Sequence, residues 1–345
     1  MEWLRGLTAF QRLGVVTILG LLALITLGGS VRVTESGLAC PDWPLCYGSL
    51  LPSGPFVSEG RVFEGHQVYL EWTHRLVASV IGVVIVAFVA GAWLKYRDRR
   101  WVVLPATAAI VALAVQVVLG GLTVTEDLDA GIVASHLGLA MVIVLLIMGA
   151  WLATFVPVGE HRPTGRAETQ ASAPTIRLAK WAVVSAAAVL GLMVLGGYVS
   201  GTDAAFFCDA DWPLCNGSFF PEGKNANIQM SHRYVAVIVG VLLVGLWVLA
   251  YHERRAQRGA FFLSTLLGIL FLVQGILGAA TQWTTLSDWS RIVHLAAGAL
   301  TWGTAVVLMA LMAYRTGWYP SMTKRMALPA FFPDRLSARE TLPGD

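Results

Sequence analysis

The chain contains eight apolar stretches of about 20 residues each, and these stretches limit its fold more than any other feature. About 20 mostly apolar residues suffice for a helix to cross the hydrocarbon core of a bilayer. Backbone groups in lipid must be hydrogen-bonded within the segment, so we predict an all-α integral membrane protein with eight transmembrane helices. The predicted spans are Val15–Val31, Leu76–Leu94, Val102–Val124, Ile132–Phe155, Trp181–Val199, Tyr234–Tyr251, Ala260–Ala280 and Ile292–Tyr314.

The composition excludes an ordinary soluble domain. Only 13% of the 345 residues are charged and 56% are apolar, whereas about 25% of the residues of soluble proteins are charged. The formal net charge is only +3 and is unevenly distributed along the chain. We therefore interpret the charge as a signal of membrane topology and expect no nucleic-acid partner.

The basic residues between the spans predict the orientation. They precede the first span, follow the last, and fill every second loop, which places all of them on one side of the membrane if there are eight spans. Examples are Arg12, Arg97, Arg177, Arg254 and Lys324. The positive-inside rule makes this side the cytoplasm and predicts a multi-pass protein of the cell (plasma) membrane with both termini inside. The opposite loops hold acidic residues and all four cysteines.

The second half of the chain repeats the first. Gly28-Gly29 recurs as Gly196-Gly197, Asp42-Trp43-Pro44-Leu45-Cys46 as Asp211-Trp212-Pro213-Leu214-Cys215, and Gln116-Val117-Val118-Leu119-Gly120-Gly121 as Gln274-Gly275-Ile276-Leu277-Gly278-Ala279. Because each half has four spans, the two repeats share one orientation. We predict a four-helix bundle over 1–155, a cytoplasmic linker over 156–180, a second bundle over 181–314 and a cytoplasmic tail over 315–345.

Four histidines follow the same repeat. His74 and His136 are 62 residues apart, as are His232 and His294, and all four lie near the outer ends of their spans. Two helices of one bundle can thus present two imidazoles at one depth, which suits the axial ligands of a heme iron. Buried histidines bonded to the backbone are the alternative. Zinc or copper would also accept histidine, but a third ligand with repeat symmetry is missing.

One carboxylate breaks the repeat. Glu71 lies three residues before His74, so the two share a helix face, but the corresponding residue of the second half is Gln229. A carboxylate can accept a proton or stabilise developing positive charge, and an amide does neither well. The asymmetry suggests chemistry in the N-terminal bundle. The alternative is that Glu71 only interacts with the helix dipole.

An arginine directly follows the first histidine of each half. Arg75 and Arg233 are candidate partners for heme propionates. A plainer interpretation is that each arginine extends its charge to the lipid headgroups.

The cysteines form two close pairs, Cys40 with Cys46 and Cys208 with Cys215. In an oxidising compartment we expect disulfides, each closing a short loop over its own bundle. A structural bond is one interpretation, and a thiol pair that exchanges with a redox partner is the other.

Taken together, these residues resemble the heme A synthase family. The resemblance rests on the two repeated halves, the Glu71-x-x-His74 motif, the three further histidines and the Asp-Trp-Pro-Leu-Cys loops, and it reaches to about Tyr314. It implies oxidation of the C8 methyl of heme O to the formyl group of heme A for cytochrome oxidase.

The resemblance also assigns the residues. It implies that His74 and His136 hold the substrate heme O, that His232 and His294 ligate a permanent heme b, and that Glu71 is catalytic. The cysteine pairs become outer-loop disulfides. Expected partners are heme O, the heme O synthase and a membrane redox partner, and a homo-oligomer is compatible with this assignment.

Two other functions remain open at this point. A di-heme transmembrane electron-transfer cytochrome would retain heme tightly in both halves and would not need Glu71. A membrane heme carrier would exchange heme in both halves and form no product. The difference between Glu71 and Gln229 favours an enzyme.

Overall fold

The computed structural model describes residues 6–58, 60–156 and 171–317. Within these ranges, eight helices are long and apolar enough to span a membrane, which confirms the predicted helices. They are α1 (Ala9–Val33), α2 (Gly65–Tyr96), α3 (Arg100–Thr125), α4 (Ala130–Ala153), α5 (Ala173–Gly201), α6 (Lys224–His252), α7 (Arg258–Trp283) and α8 (Asp288–Arg315).

Several helices begin well before the predicted apolar spans. Helix α2 starts at Gly65 instead of Leu76, and α6 starts at Lys224 instead of Tyr234. Hydropathy detects only the part of a helix that is uniformly apolar. The first turns of α2 and α6 contain polar residues, and two of them bond to the preceding connection: Gln67 Nε2 donates to Thr34 O at 3.2 Å, and Asn227 Nδ2 to Gly223 O at 2.8 Å. The candidate site residues Glu71 and His74 therefore lie within a regular helix, below its first turn.

Each half of the chain forms a closed ring of four helices. In the first half α1 packs against α2, α2 against α3, α3 against α4, and α4 returns to α1. In the second half α5, α6, α7 and α8 follow the same cycle. Helices α2 and α4 are therefore opposite members of one ring, and α6 and α8 are opposite members of the other.

The two rings pack side by side through α1, α4, α5 and α8. Trp302 of α8 is 2% exposed and its indole Nε1 donates to the backbone oxygen of Met141 on α4 at 2.9 Å. At the C-terminal end of α1, Arg32 donates to Ser200 O at 2.6 Å and to the Asp203 carboxylate at 2.7 Å. The halves thus share a continuous core.

The predicted boundaries between the halves remain predictions. Helix α5 begins at Ala173, inside the segment predicted as a linker, so the last part of that segment is helical. Residues 157–170 of this linker, and 318–345 of the predicted tail, lie outside the described residues.

The loops that contain the cysteine pairs differ between the halves. The first is longer and contains a two-stranded antiparallel hairpin, β1 (Val57–Ser58) and β2 (Arg61–Val62), which the sequence did not predict. The second contains a short 3-10 helix, Ala204–Cys208. Both loops contain a matching bridge directly after their Asp-Trp-Pro-Leu motif, Cys46 with Ser49 and Cys215 with Ser218.

We expect Trp302→Ala to destabilise the joined rings strongly. It empties a large buried volume and removes the hydrogen bond to Met141, and comparable core truncations cost about 3–5 kcal/mol. Thermal unfolding in detergent would measure the loss. Trp289→Ala is the matched control, because Trp289 lies on the same helix but is 58% exposed. Equal melting temperatures for the two variants would contradict the packing described here.

Candidate functional site

The structure places the two predicted histidines of each half on opposite helices of one ring. His74 lies on α2 and His136 on α4, which are opposite helices of the first ring. His232 on α6 and His294 on α8 are related in the same way in the second ring. Each ring therefore presents two imidazoles from opposite helices.

Each imidazole lies against a glycine of the helix that precedes its own in the chain. A Cβ atom built on any of these four glycines would lie within 3.3 Å of the imidazole Cε1, a separation that few real Cβ atoms show. The pairs are Gly28 with His74 at 2.9 Å, Gly120 with His136 at 3.3 Å, Gly196 with His232 at 3.1 Å and Gly278 with His294 at 3.1 Å. The repeated glycines thus make room for the rings of the histidines.

A glutamine holds the second histidine of each half. Gln116 Nε2 donates to the backbone oxygen of His136 at 3.1 Å and lies 3.2 Å from its Nε2. Gln274 Nε2 makes the same contacts with His294, at 2.8 and 3.4 Å. Each glutamine lies one turn before the glycine that faces the same imidazole. Sequence reasoning gave these glutamines no role, although their presence in both repeats was a usable signal.

The imidazoles have unused hydrogen-bonding capacity. The Nδ1 atom of each of the four histidines is buried and has no hydrogen-bond partner among the described residues. The same part of the chain contains no group of three or more histidine, cysteine, aspartate or glutamate side chains that could hold a bare metal ion. Two imidazoles from opposite helices instead fit a metal that takes its remaining ligands from a macrocycle.

Glu71 is bonded to the first cysteine loop. Its side chain is only 4% exposed, and Arg75 Nη2 donates to Oε1 at 2.5 Å. The backbone N–H of Cys40 donates to Oε2 at 2.8 Å. The sequence placed Glu71 on the face of His74; its bonding partners, however, are the next arginine on the helix and the loop above it.

Arg75 and Arg233 anchor the two loops to their helices. Arg75 Nη1 donates to the backbone oxygens of Asp42 and Leu45, both at 2.5 Å. Arg233 Nη1 donates to the corresponding oxygen of Asp211 at 3.2 Å and to that of Leu214. This loop-anchoring role was not anticipated, and the role toward heme propionates stays a prediction.

The second half lacks the ion pair of the first. Gln229 Oε1 is buried without a partner among the described residues, and so is Arg233 Nη2. Arg233 nevertheless holds its loop through backbone oxygens. The ion pair is therefore not required for anchoring the loop, and the carboxylate in the first half needs another explanation.

Both cysteine pairs form disulfides, Cys40 with Cys46 and Cys208 with Cys215, as expected. The aspartate of each loop motif organises the turn inside the disulfide. Asp42 accepts hydrogen bonds from the backbone N–H groups of Tyr47 and Gly48, at 2.6 and 2.9 Å. Asp211 accepts from Gly217 N at 2.6 Å.

Comparison with known families matches residues 11–306 to the cytochrome oxidase assembly protein family, COX15-CtaA. The chain belongs to this family. It is 27% identical to the heme A synthase of Shouchella clausii over 279 residues, which cover 79% of the chain and 87% of that protein. It is 25% identical to the heme A synthase of Bacillus licheniformis, over 83% of the chain and 90% of that protein. The heme A synthase of Caulobacter vibrioides is 27% identical over 84% of the chain and 90% of its own length.

The match covers the helices that carry the candidate site in this member of the family. Residues 11–306 include all four histidines, Glu71, both arginines and both disulfides. The family model therefore extends across both rings and both outer loops.

We expect Gly278→Leu to displace the His294 imidazole and to lower the heme content of the purified protein. Overpacking of this kind costs about 1–3 kcal/mol, which corresponds to roughly a ten-fold weaker retention of the ligand. Heme per protein can be measured from the absorbance of the pyridine complex.

Gly268→Leu is the matched control for this variant. Gly268 lies on the same helix, and a Cβ atom there would meet nothing within 4 Å. If both variants kept the heme content of the wild type, the contact between glycine and imidazole would have no part in binding.

Proposed function

We propose that the chain is a heme A synthase, which oxidises the C8 methyl of heme O to a formyl group for cytochrome oxidase assembly. Membership in the family and the names of the relatives support this reaction. The observation that carries it is the difference between Glu71 and Gln229, because the two halves otherwise repeat their histidines, glycines and loop-anchoring arginines.

The N-terminal ring is the proposed substrate site. His74 and His136 hold the iron of heme O, and Gly28 and Gly120 leave room for the imidazoles. The C-terminal ring holds a heme b through His232 and His294. When bound, heme b supplies one-electron transfer to or from a membrane redox partner.

Glu71 is the proposed catalytic residue. In each of two successive steps the methyl carbon gains one oxygen from water and loses two protons and two electrons, with an oxidised membrane redox partner as the electron acceptor. The first step gives an alcohol and the second a hydrated aldehyde, which loses water to give the formyl group. A buried carboxylate beside the substrate can take the proton that leaves the methyl carbon or stabilise developing positive charge. Gln229 offers neither function.

The cellular location follows from the charge pattern. Both termini face the cytoplasm of a bacterial plasma membrane, and the disulfide loops and heme sites lie toward the outer face. On that side the compartment is oxidising, which suits two disulfides. The heme O synthase is the proposed supplier of the substrate.

A di-heme electron-transfer cytochrome is the second candidate. The observation in its favour is the close match between the two rings, since each has the same histidine pair, glycine contacts and glutamine. This function would place heme b in both rings and would leave Glu71 without a chemical role.

Glu71→Gln is expected to abolish conversion and to leave the fold intact. Loss of a general acid or base lowers rates by about 10²–10⁴-fold. The variant copies Gln229 of the second half, where the loop is anchored without a carboxylate, so the first loop should tolerate it. The test is co-expression with a source of heme O, followed by heme extraction and chromatography.

The wild type should yield heme A and its hydroxymethyl intermediate, whereas Glu71→Gln should contain heme O and heme b. Gln229→Glu is the reciprocal control and should convert heme O as the wild type does. An active Glu71→Gln protein with both hemes bound would exclude Glu71 as the catalytic residue. If the wild type contained only heme b in both rings, the electron-transfer cytochrome would be the better assignment.

A further inference from the structure

Each disulfide loop leads into a pair of large apolar side chains that the protein leaves uncovered. The pairs are Leu50-Leu51 and Phe219-Phe220, and each begins four residues after the second cysteine of its loop. Leu50 and Phe220 are each 83% exposed, and Leu51 and Phe219 are 62% and 57% exposed. A single exposed apolar residue is common, but an exposed pair at the same place in both repeats indicates a shared requirement.

The segment around each pair carries no charge. No acidic or basic residue occurs between Asp42 and Glu59 in the first half, or between Asp211 and Glu222 in the second. An uncharged apolar segment in water would favour aggregation, and soluble surfaces therefore intersperse charged side chains. The composition of both segments suits an apolar partner.

Hydrogen bonds hold the first pair beside the apolar part of α2. Trp72 Nε1 donates to the backbone oxygen of Leu50 at 2.6 Å, and the Tyr69 hydroxyl donates to Pro52 O at 3.3 Å. Leu76, where the apolar span predicted for this helix begins, is one turn beyond Trp72, which is about 6 Å along the helix axis. The backbone of Leu50 is therefore fixed close to the start of the apolar span.

The second pair is held at a similar level on α6. The Tyr234 hydroxyl donates to the backbone oxygen of Phe219, and the Tyr234 ring lies 6.1 Å from the ring of Phe220. Tyr234 is itself the first residue of the apolar span predicted for α6. The two loops thus reach the same part of their helices, although the donors that hold them differ.

Each pair lies at the end of an apolar stripe on its helix. The stripe consists of exposed aliphatic side chains that recur every three or four residues, and therefore lie on the face of the aromatic residue that holds the loop. These side chains are Leu76, Val80 and Val83 on α2, and Val237, Val241 and Val244 on α6. Both helices are long and apolar enough to span a membrane, so the stripes face lipid.

Exposed aromatic residues mark the boundary of the membrane at this end of the rings. Trp283 is the last residue of α7 and Trp289 is the second residue of α8, and both are exposed. Tyr69, near the start of α2, is exposed as well. Tryptophan and tyrosine are enriched where the acyl region of a bilayer meets the headgroups. The donors that hold the loops therefore belong to the level of this boundary.

We propose that Leu50-Leu51 and Phe219-Phe220 insert into the bilayer leaflet at the loop end of the rings, where acyl chains cover both pairs. They extend the lipid-facing stripes of α2 and α6 beyond the helices. The bilayer thereby holds each disulfide loop against the end of its own ring. This inference is independent of the reaction proposed above, because it concerns the membrane and not the hemes.

Nitroxide labels on the full chain test the insertion, in vesicles of phosphatidylcholine and phosphatidylglycerol. Leu51→Cys and Phe220→Cys place one label in each loop. Power saturation compares collisions with oxygen, which concentrates in the acyl region, with collisions with a water-soluble nickel chelate. Val83→Cys is the lipid control, because Val83 is 70% exposed within α2. Glu222→Cys is the matched water control, because Glu222 is exposed only two residues after Phe220.

We expect the ratio of oxygen to nickel collisions at Leu51 and at Phe220 to be several-fold higher than at Glu222. The depth that this ratio gives should be shallower than that of Val83. A ratio equal to that of Glu222 would place the loops in water and overturn the inference. Low collision rates with both reagents would overturn it too, since protein, such as a second copy of the chain, would then cover the pairs.

Mass spectrometry of each labelled variant checks that it carries one label and retains both disulfides. Where a label disrupts a disulfide, the neighbouring variant, Leu50→Cys or Phe219→Cys, takes its place. The same order of collision ratios is expected from these two positions, and a water-like ratio there would contradict the proposal equally.

Discussion

The contact between an imidazole and a glycine determines how each ring of helices is built. Each of the four histidines lies on an even-numbered helix. The odd-numbered helix before it has a glycine, and hence no side chain, where the imidazole packs. A methyl group on any of these glycines would lie within 3.3 Å of the imidazole Cε1 and would crowd the imidazole. The four glycines are Gly28, Gly120, Gly196 and Gly278. Alanine or leucine at these positions would keep the helices equally apolar, so the need for an apolar span does not explain the glycines. The contact with an imidazole therefore explains why each of these residues is a glycine.

The disulfide loops add a second level of organisation at one end of the rings. An arginine one residue after the first histidine of each half holds backbone oxygens within the disulfide loop. Loop position and histidine position are thus tied to the same turn of one helix. A few hydrogen bonds therefore join each disulfide loop to the turn that carries the histidine.

Much of this architecture could be predicted from the sequence, because the signals are local or repeated. Span number follows from hydropathy, and the placement of His74 and His136 on two helices of one ring follows from the spacing of the spans. The bonding of Glu71 could not be predicted in the same way. Its spacing to His74 favoured one helix face, but Arg75 also lies one turn away, and the Cys40 N–H comes from a loop whose return path depends on tertiary packing. The role of Gln116 likewise depends on which helix lies beside α3.

The two halves differ mainly in their loops and little in their rings. The first half has the hairpin, the buried ion pair of Glu71 with Arg75, and a tyrosine in a left-handed conformation. The second half has a glutamine and an asparagine at the matching positions, and the described part of this half has no ion pair equivalent to that of Glu71 with Arg75. Buried charge and backbone strain are unfavourable for stability, so they persist where another requirement maintains them. The buried ion pair at the loop end of the N-terminal ring therefore supports a requirement specific to that half, such as the proposed substrate site.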